Sequence, residues 1–247
     1  MHFHEPPTRE YSFIPININT ASTTVTTTNS AEEQSWYQSQ RPLYLAYGSN
    51  LSPSQMSTRC IHNPTSSVPL AIARLPHWRW LICEQGYANV LPPPNLRVGP
   101  QTEVRDDKVP VAGTEDAVYG VLYAMDERDE RLLDGFEGVD RDAPAAAPSG
   151  REDNVTAVPP QSVRPQEQGQ GDYNKWVVEA EVVQWLENKV GASTVQVLVY
   201  VDELRVNLGP PKEEYIPRMN RAIRESVALG LPERWAEEVM RPSIPRD

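Results

Sequence analysis

The carboxyl group of Glu137 is a candidate general acid/base. It lies in the segment Leu132-Leu133-Asp134-Gly135-Phe136-Glu137-Gly138-Val139. Leu133 and Glu137 are four residues apart, so they share a face if a helix persists that far. Phe136 lies beside them, and an apolar face turned inward would carry the carboxyl toward the core. Burial raises a carboxyl pKa, and a raised pKa suits a group that takes and returns a proton near neutrality. Spacing alone favours a plainer account, a surface glutamate at a frayed helix end ahead of a glycine stop, and Gly135 weakens the helix further.

A second candidate is Tyr44-Leu45-Ala46-Tyr47-Gly48-Ser49-Asn50-Leu51. A short apolar strand runs into a glycine turn and then a helix start. Gly48 permits a sharp turn that a side chain would resist. Free backbone N–H groups gathered there can hold an anion or a polarised carbonyl oxygen. An ordinary strand-to-helix turn has the same pattern. Ser49 shows no His or Asp partner, so a nucleophilic triad is not supported. His2, His4, His62 and His77 do not form a metal spacing, and neither metal nor cofactor is expected. Cys60 and Cys83 make no disulfide framework and read as buried thiols. Trp78-Arg79-Trp80 reads as strand packing, Asp126 to Glu130 as a solvated helix face. The Pro-x-x-Pro match in Arg241-Pro242-Ser243-Ile244-Pro245 is of a kind common by chance in tails.

The elements that must position these groups follow from local patterns. Strands are expected at Leu43–Ala46, Val68–Leu75, Arg79–Cys83, Tyr87–Leu91, Ala117–Met125, Trp176–Trp185 and Val195–Val201. Ser52 offers an N-cap and Pro53 suits the first helical position, predicting a helix over 53–60. An acidic helix is expected from Asp126 to Phe136, with its carboxylates early, as the helix dipole favours. Tyr215, Ile216, Met219, Ile223 and Val227 predict an amphipathic helix from Glu213 to Leu229, stopped by Gly230. A last short helix is expected over 232–240.

Composition sets the outer limits. The chain has 247 residues, of which 39% are hydrophobic and 24 are proline, too many prolines to be spread through a core. Residues 1–41, rich in Ser, Thr, Asn and Gln, read as a disordered tail, and 42–247 as the folded domain. Within it, 92–116 reads as a long surface loop and 140–172 as a disordered Pro/Gln-rich insert. The net charge of −11 argues against nucleic acid as a partner. No apolar run of membrane-spanning length is present and the N-terminus lacks the pattern of a signal peptide, so no membrane partner is expected and a cytoplasmic location is the default.

Taken together, Leu45-Ala46-Tyr47-Gly48-Ser49-Asn50-Leu51 and Glu137-Gly138-Val139 resemble the γ-glutamylcyclotransferase family. Asn63-Pro64, Ala73-Arg74-Leu75, Val118-Tyr119-Gly120-Val121-Leu122-Tyr123, Tyr173, Pro210-Pro211-Lys212-Glu213-Glu214-Tyr215 and Gly230-Leu231-Pro232 fall in that family's order, and the likeness spans roughly 43–240. The resemblance implies an α+β fold, a small mixed β-barrel with surrounding helices. It implies Glu137 as acid/base, a substrate loop of Tyr44, Leu45, Ala46, Tyr47, Gly48, Ser49 and Asn50, and further contacts at Tyr215 and Tyr173. The insert at 140–172 departs from the family, which has only a few residues between the glutamate and the aromatic.

The activity implied is closure of a small γ-glutamyl substrate into 5-oxoproline with release of an amino acid. Two alternatives remain open: a cyclotransferase for another γ-glutamyl amine or a glutathione-derived conjugate, and a non-catalytic binding module of the same fold. Relatives acting on γ-glutamyl-ε-lysine tend to show Tyr-Gly-Thr-Leu, and glutathione-specific ones Tyr-Gly-Ser-Leu. Ser49-Asn50 counts against the first and Asn50 against the second. The sequence leaves the leaving amine and the oligomeric state open.

Overall fold

A computed structural model of the chain describes residues 41–105, 109, 116–147, 161–187 and 189–247. The tail expected at 1–41 lies outside the described residues except for Arg41, which pairs with Glu130 at 2.5 Å.

Five strands close into a barrel in the order β1 (Leu43–Ala46), β5 (Ala117–Tyr123), β2 (Pro69–Pro76), β6 (Asn174–Trp185), β7 (Thr194–Val201). Neighbours are antiparallel except β7 and β1, which close the ring in parallel, with Leu43 opposite Val197 and Tyr44 opposite Leu198. All seven residues of β5 are buried, which explains its continuous apolar run. Gly120 is required by a close approach: a β-carbon there would stand 2.5 Å from the Ala46 carbonyl oxygen. The expected strands at 79–83 and 87–91 do not join the barrel. They form a separate antiparallel hairpin, β3 (Arg79–Ile82) and β4 (Ala88–Leu91). Trp80 donates its indole N–H to the Tyr47 carbonyl at 3.0 Å, so this hairpin also braces the turn after β1.

Helix α1 (Pro53–Arg59) begins as its sequence predicts, with the Ser52 hydroxyl accepting from the Gln55 N–H at 3.0 Å and Pro53 in its first turn. Helix α2 (Glu127–Phe136) is capped by Asp126. The wholly buried Asp129 on α2 accepts from the backbone N–H groups of His62 and Asn63 at 2.8 and 2.9 Å. Burial opposes its ionised form, but those N–H groups hold its carboxyl below the usual range. One carboxylate thus ties the segment leaving α1 to the helix that leads to Glu137. Helix α3 (Tyr215–Ala228) ends at Gly230 (φ 107°), with Leu231 N–H returning to Ser226 and Gly230 N–H to Val227. A short helix, α4 (Glu233–Trp235), continues into a π-turn at Ala236–Met240. The Pro-x-x-Pro match beyond it is folded in: Ile244 is fully buried and Asn220 donates to the Pro245 carbonyl.

Two expectations are corrected. The 92–116 stretch is not plain loop, because Pro94–Leu96 and Gly99–Glu103 form 3-10 turns and Arg97 and Gln101 are buried. The 140–172 stretch is not disordered at its ends. Ala145 bridges to Gln166, and the buried Arg164 pairs with the buried Glu203 at 2.5 Å. Glu203 also accepts from the Trp176 indole and the Asn174 amide, both at 2.7 Å. Composition read these flanks as unable to bury surface, but they dock through a polar network instead. The middle of the insert, 148–160, lies outside the described residues.

Candidate active site

The barrel mouth, the turn after β1, the end of α2 and the start of α3 enclose a cavity of about 230 Å³. Tyr44, Tyr47, Gly48, Ser49, Asn50, Glu137, Tyr173 and Tyr215 all line it. Leu45 and Ala46 do not. Both are fully buried in the core and paired with Leu122 and Val121 of β5, so their part is to hold the strand that aims Tyr44.

Glu137 reaches the cavity because of how α2 stops. It is the C-cap residue, and Gly138 follows with φ 63°, a left-handed conformation that side chains disfavour. The Gly138 N–H returns to Gly135 and the Val139 N–H to Asp134 at 2.9 Å, a Schellman closure. The glycine stop that made a surface glutamate plausible is present, yet the side chain is only 17% exposed. Its Oε1 accepts from Asn50 Nδ2 at 3.0 Å and from an Arg59 guanidinium nitrogen at 2.9 Å. Burial pushes its pKa above the usual carboxylate range, and Arg59, Asn50 and the more distant Arg218 oppose that rise without cancelling it.

Asn50 is the joint of this cluster. Its Nδ2 also donates to the Tyr44 hydroxyl at 2.9 Å, while its Oδ1 accepts from Gln55 and Arg59 at 2.9 and 3.0 Å. Every valence of the amide is used, so its orientation is fixed and with it one lone pair of Glu137. Arg59 is stacked over the Phe136 ring, 4.9 Å from its centroid. The Gly48 backbone has φ −113°, outside the left-handed region. What the position needs is space for Tyr215, whose hydroxyl accepts from the Ser49 N–H at 3.3 Å.

Six tyrosines line the cavity, and five of them are buried: 44, 47, 173, 200 and 215. Burial raises each phenol's pKa, that of Tyr215 to about 12, so all stay neutral where Glu137 titrates. Their hydroxyls are anchored: Tyr47 donates to the Tyr200 carbonyl, Tyr173 to the Ala88 carbonyl and Tyr200 to the Asp134 carboxylate. The wall also carries a second carboxylate, Asp172, but its side chain is 57% exposed and paired with Arg205 at 2.9 Å. Glu137 is therefore the sheltered acid of the site.

Sequence reading missed Arg59, Gln85, Tyr87, Phe136, Asp172, Tyr200 and Arg218, which also line the cavity. Arg218 lies three residues after Tyr215 on α3, a spacing that shares a helix face and was available as a signal. Asp172 precedes Tyr173. Arg59 carries no local mark of its role.

No protein-family model matches the chain. No curated protein matches it in sequence. Among solved structures, YkqA from Bacillus subtilis is similar at TM-score 0.50 and 17% identity, over 87% of this chain and 60% of that one. An uncharacterized protein, loc79017, from Homo sapiens gives TM-score 0.48 at 19% identity, over 83% of this chain and 88% of that one. A γ-glutamyl cyclotransferase gives 0.46 at 19% identity, over 83% and 89%. With its closed five-stranded mixed barrel, flanking helices and lateral hairpin, the chain is an α+β protein that shares its fold with the YkqA structure.

Proposed function

We propose that this chain is a γ-glutamyl cyclotransferase: it folds a γ-glutamyl amide on itself, releases the amine and leaves 5-oxoproline. One observation carries the reading. A sheltered carboxyl with a raised pKa, Glu137, faces a cavity of about 230 Å³ beside the Tyr-Gly-Ser-Asn turn. That size suits a small, folded glutamyl chain, and the reaction asks for one group that can both take and return a proton.

The substrate's α-ammonium docks on Glu137, which accepts its proton. The freed amine attacks the γ-carbonyl carbon of the same molecule, so the enzyme's first contribution is to hold nitrogen against carbon. As the C–N bond forms, the carbonyl π electrons move to oxygen. Backbone N–H groups of the Gly48–Asn50 turn, with Tyr215 beside them, meet that charge. Collapse re-forms the carbonyl and breaks the bond to the leaving nitrogen, which takes the proton back from Glu137. Glu137 then removes the second proton from the ring nitrogen and passes it to the departing amine, which leaves as an ammonium ion, so the two protons shed by the attacking nitrogen are the two gained by the amine. Acid/base catalysis of this kind contributes about 10²–10⁴-fold. Asn50 and Arg59 keep the carboxylate aimed through the cycle.

The test is a panel of γ-glutamyl-alanine, glutathione and γ-glutamyl-ε-lysine, with 5-oxoproline measured by mass spectrometry against a Glu137→Gln control. Release by the parent above that control supports the reading. Binding without release by the parent would make the site a binding module.

A further inference from the structure

Two guanidinium groups flank Glu137, and their situations differ. Arg59 is 14% exposed and committed to Glu137 and Asn50. Arg218 is 30% exposed, and its carboxylate partner Glu214, at 3.2 Å, is 54% exposed. A surface pair of that kind is worth little and exchanges easily. Arg218 is nonetheless held in place. Its NH2 donates to the Ser49 hydroxyl at 2.9 Å, its Nε to Gln55 Oε1 at 3.2 Å, and its guanidinium carbon lies 5.3 Å from the centroid of the Tyr215 ring. The group is thus oriented by the substrate turn itself while its charge is only loosely spent. Lys212, over the Tyr87 ring at 4.4 Å, adds a second positive charge on the same exposed side.

A γ-glutamyl amino acid carries a carboxylate on each side of the scissile amide. The glutamyl end closes into the ring beside Glu137, within the enclosed part of the cavity. The amine end must leave, and so faces the more exposed wall. There the group that meets it is Arg218, whose planar fork matches a carboxylate in two parallel hydrogen bonds. We propose that Arg218 is the specificity-determining residue that holds the carboxylate of the departing amino acid. The site then selects γ-glutamyl amides whose leaving amine bears an acid group over those whose amine is neutral. This inference rests on the cyclotransferase reading above.

The probe pair is γ-glutamyl-alanine and γ-glutamyl-ethylamide, which differ by the leaving carboxylate alone. The readout is the ratio of their kcat/KM values for 5-oxoproline release. The parent is expected to favour the alanine compound, and Arg218→Met to reduce that ratio by about 10- to 100-fold, the worth of a charged hydrogen bond. Arg218→Lys, which keeps the charge without the fork, is expected to fall between. A purely structural role would lower both rates together and leave the ratio unchanged. That result, or a parent that treats both compounds alike, overturns the proposal. Binding of the same pair to Glu137→Gln, with and without Arg218→Met, separates the two readings. Preference for the alanine compound that disappears with Arg218, in a protein whose parent never turns over, sinks the cyclotransferase reading and keeps the carboxylate subsite. Equal binding of both compounds sinks the subsite.

Discussion

A β-carbon on Gly48 would stand 2.9 Å from the Tyr215 hydroxyl oxygen and 3.3 Å from the Ala88 β-carbon. The first distance is below any real contact, so the bare Cα at 48 is what lets Tyr215 reach the turn. Gly48→Val is expected to displace Tyr215 and cut kcat/KM by about 100-fold, the scale of a 1 Å misplacement at a reacting centre. Overpacking costs about 1–3 kcal/mol, a modest drop in melting temperature by comparison. Kinetics and thermal unfolding measured on the same preparation decide it; unchanged kinetics would remove the turn from the site.

Glu137→Gln keeps the shape of the side chain and an acceptor for Asn50 and Arg59, but cannot carry the proton. Turnover is expected to fall about 10²–10⁴-fold with substrate still bound. Stability should move the other way. A folded-state pKa above the ordinary glutamate value means that ionising Glu137 costs more in the fold than in the unfolded chain. That cost is absent below the unfolded pKa and grows as pH rises toward the folded one. The variant should therefore melt at or above the parent at neutral pH, with the advantage gone by pH 4. The assignment is falsified if the variant keeps more than about a tenth of parental turnover.

The pH profile of kcat/KM should show an acid limb, set by ionisation of Glu137, above the ordinary glutamate range. The Asn50 amide lowers that pKa by donating to the charged form. Asn50→Leu is expected to move the acid limb to higher pH as well as to slow turnover. A limb that stays where it was, at whatever rate, would assign the titration to another group.

The pair of Arg164 and Glu203 predicts a stability effect remote from the reacting atoms. Both side chains are buried, so Arg164→Met leaves a buried carboxylate without its counter-charge. A loss of about 3–5 kcal/mol is expected by urea denaturation. Adding Glu203→Gln, which stays an acceptor for Trp176 and Asn174, should restore most of it. Equal destabilisation by the single and double variants would show that the ion pair is not what docks this part of the chain.

Local chemistry made much of the fold readable. Ser52-Pro53 opens α1, Gly230 closes α3, and the β-branched run at 194–201 is β7, because caps, stops and alternation act within a few residues. The direction of Glu137 was not readable from spacing, since the same glycine stop serves a buried and an exposed C-cap. Resemblance supplied it. Arg59 and Tyr200 were missed because they come from elements 78 and 63 residues from Glu137 in sequence, joined to it only when the barrel closes. The ordered flanks of the insert were missed for a different reason. Composition weighs apolar area, and these flanks are fixed by charge and amide pairing around Glu203.

The neck of that insert has its own consequence. The Asp172 N–H donates to the Gly138 carbonyl at 2.8 Å, and a β-carbon on Gly138 would collide with the Asp172 carboxylate at 2.7 Å. The strand of peptide that leaves the site just after Glu137 therefore meets the strand that returns just before Tyr173. Everything between them is wired in parallel with the route from acid to aromatic, not in series with it. The chain can be lengthened or shortened there as a side circuit, changing what the molecule presents beside its cavity while the spacing of Glu137 and Tyr173 stays clamped at the junction.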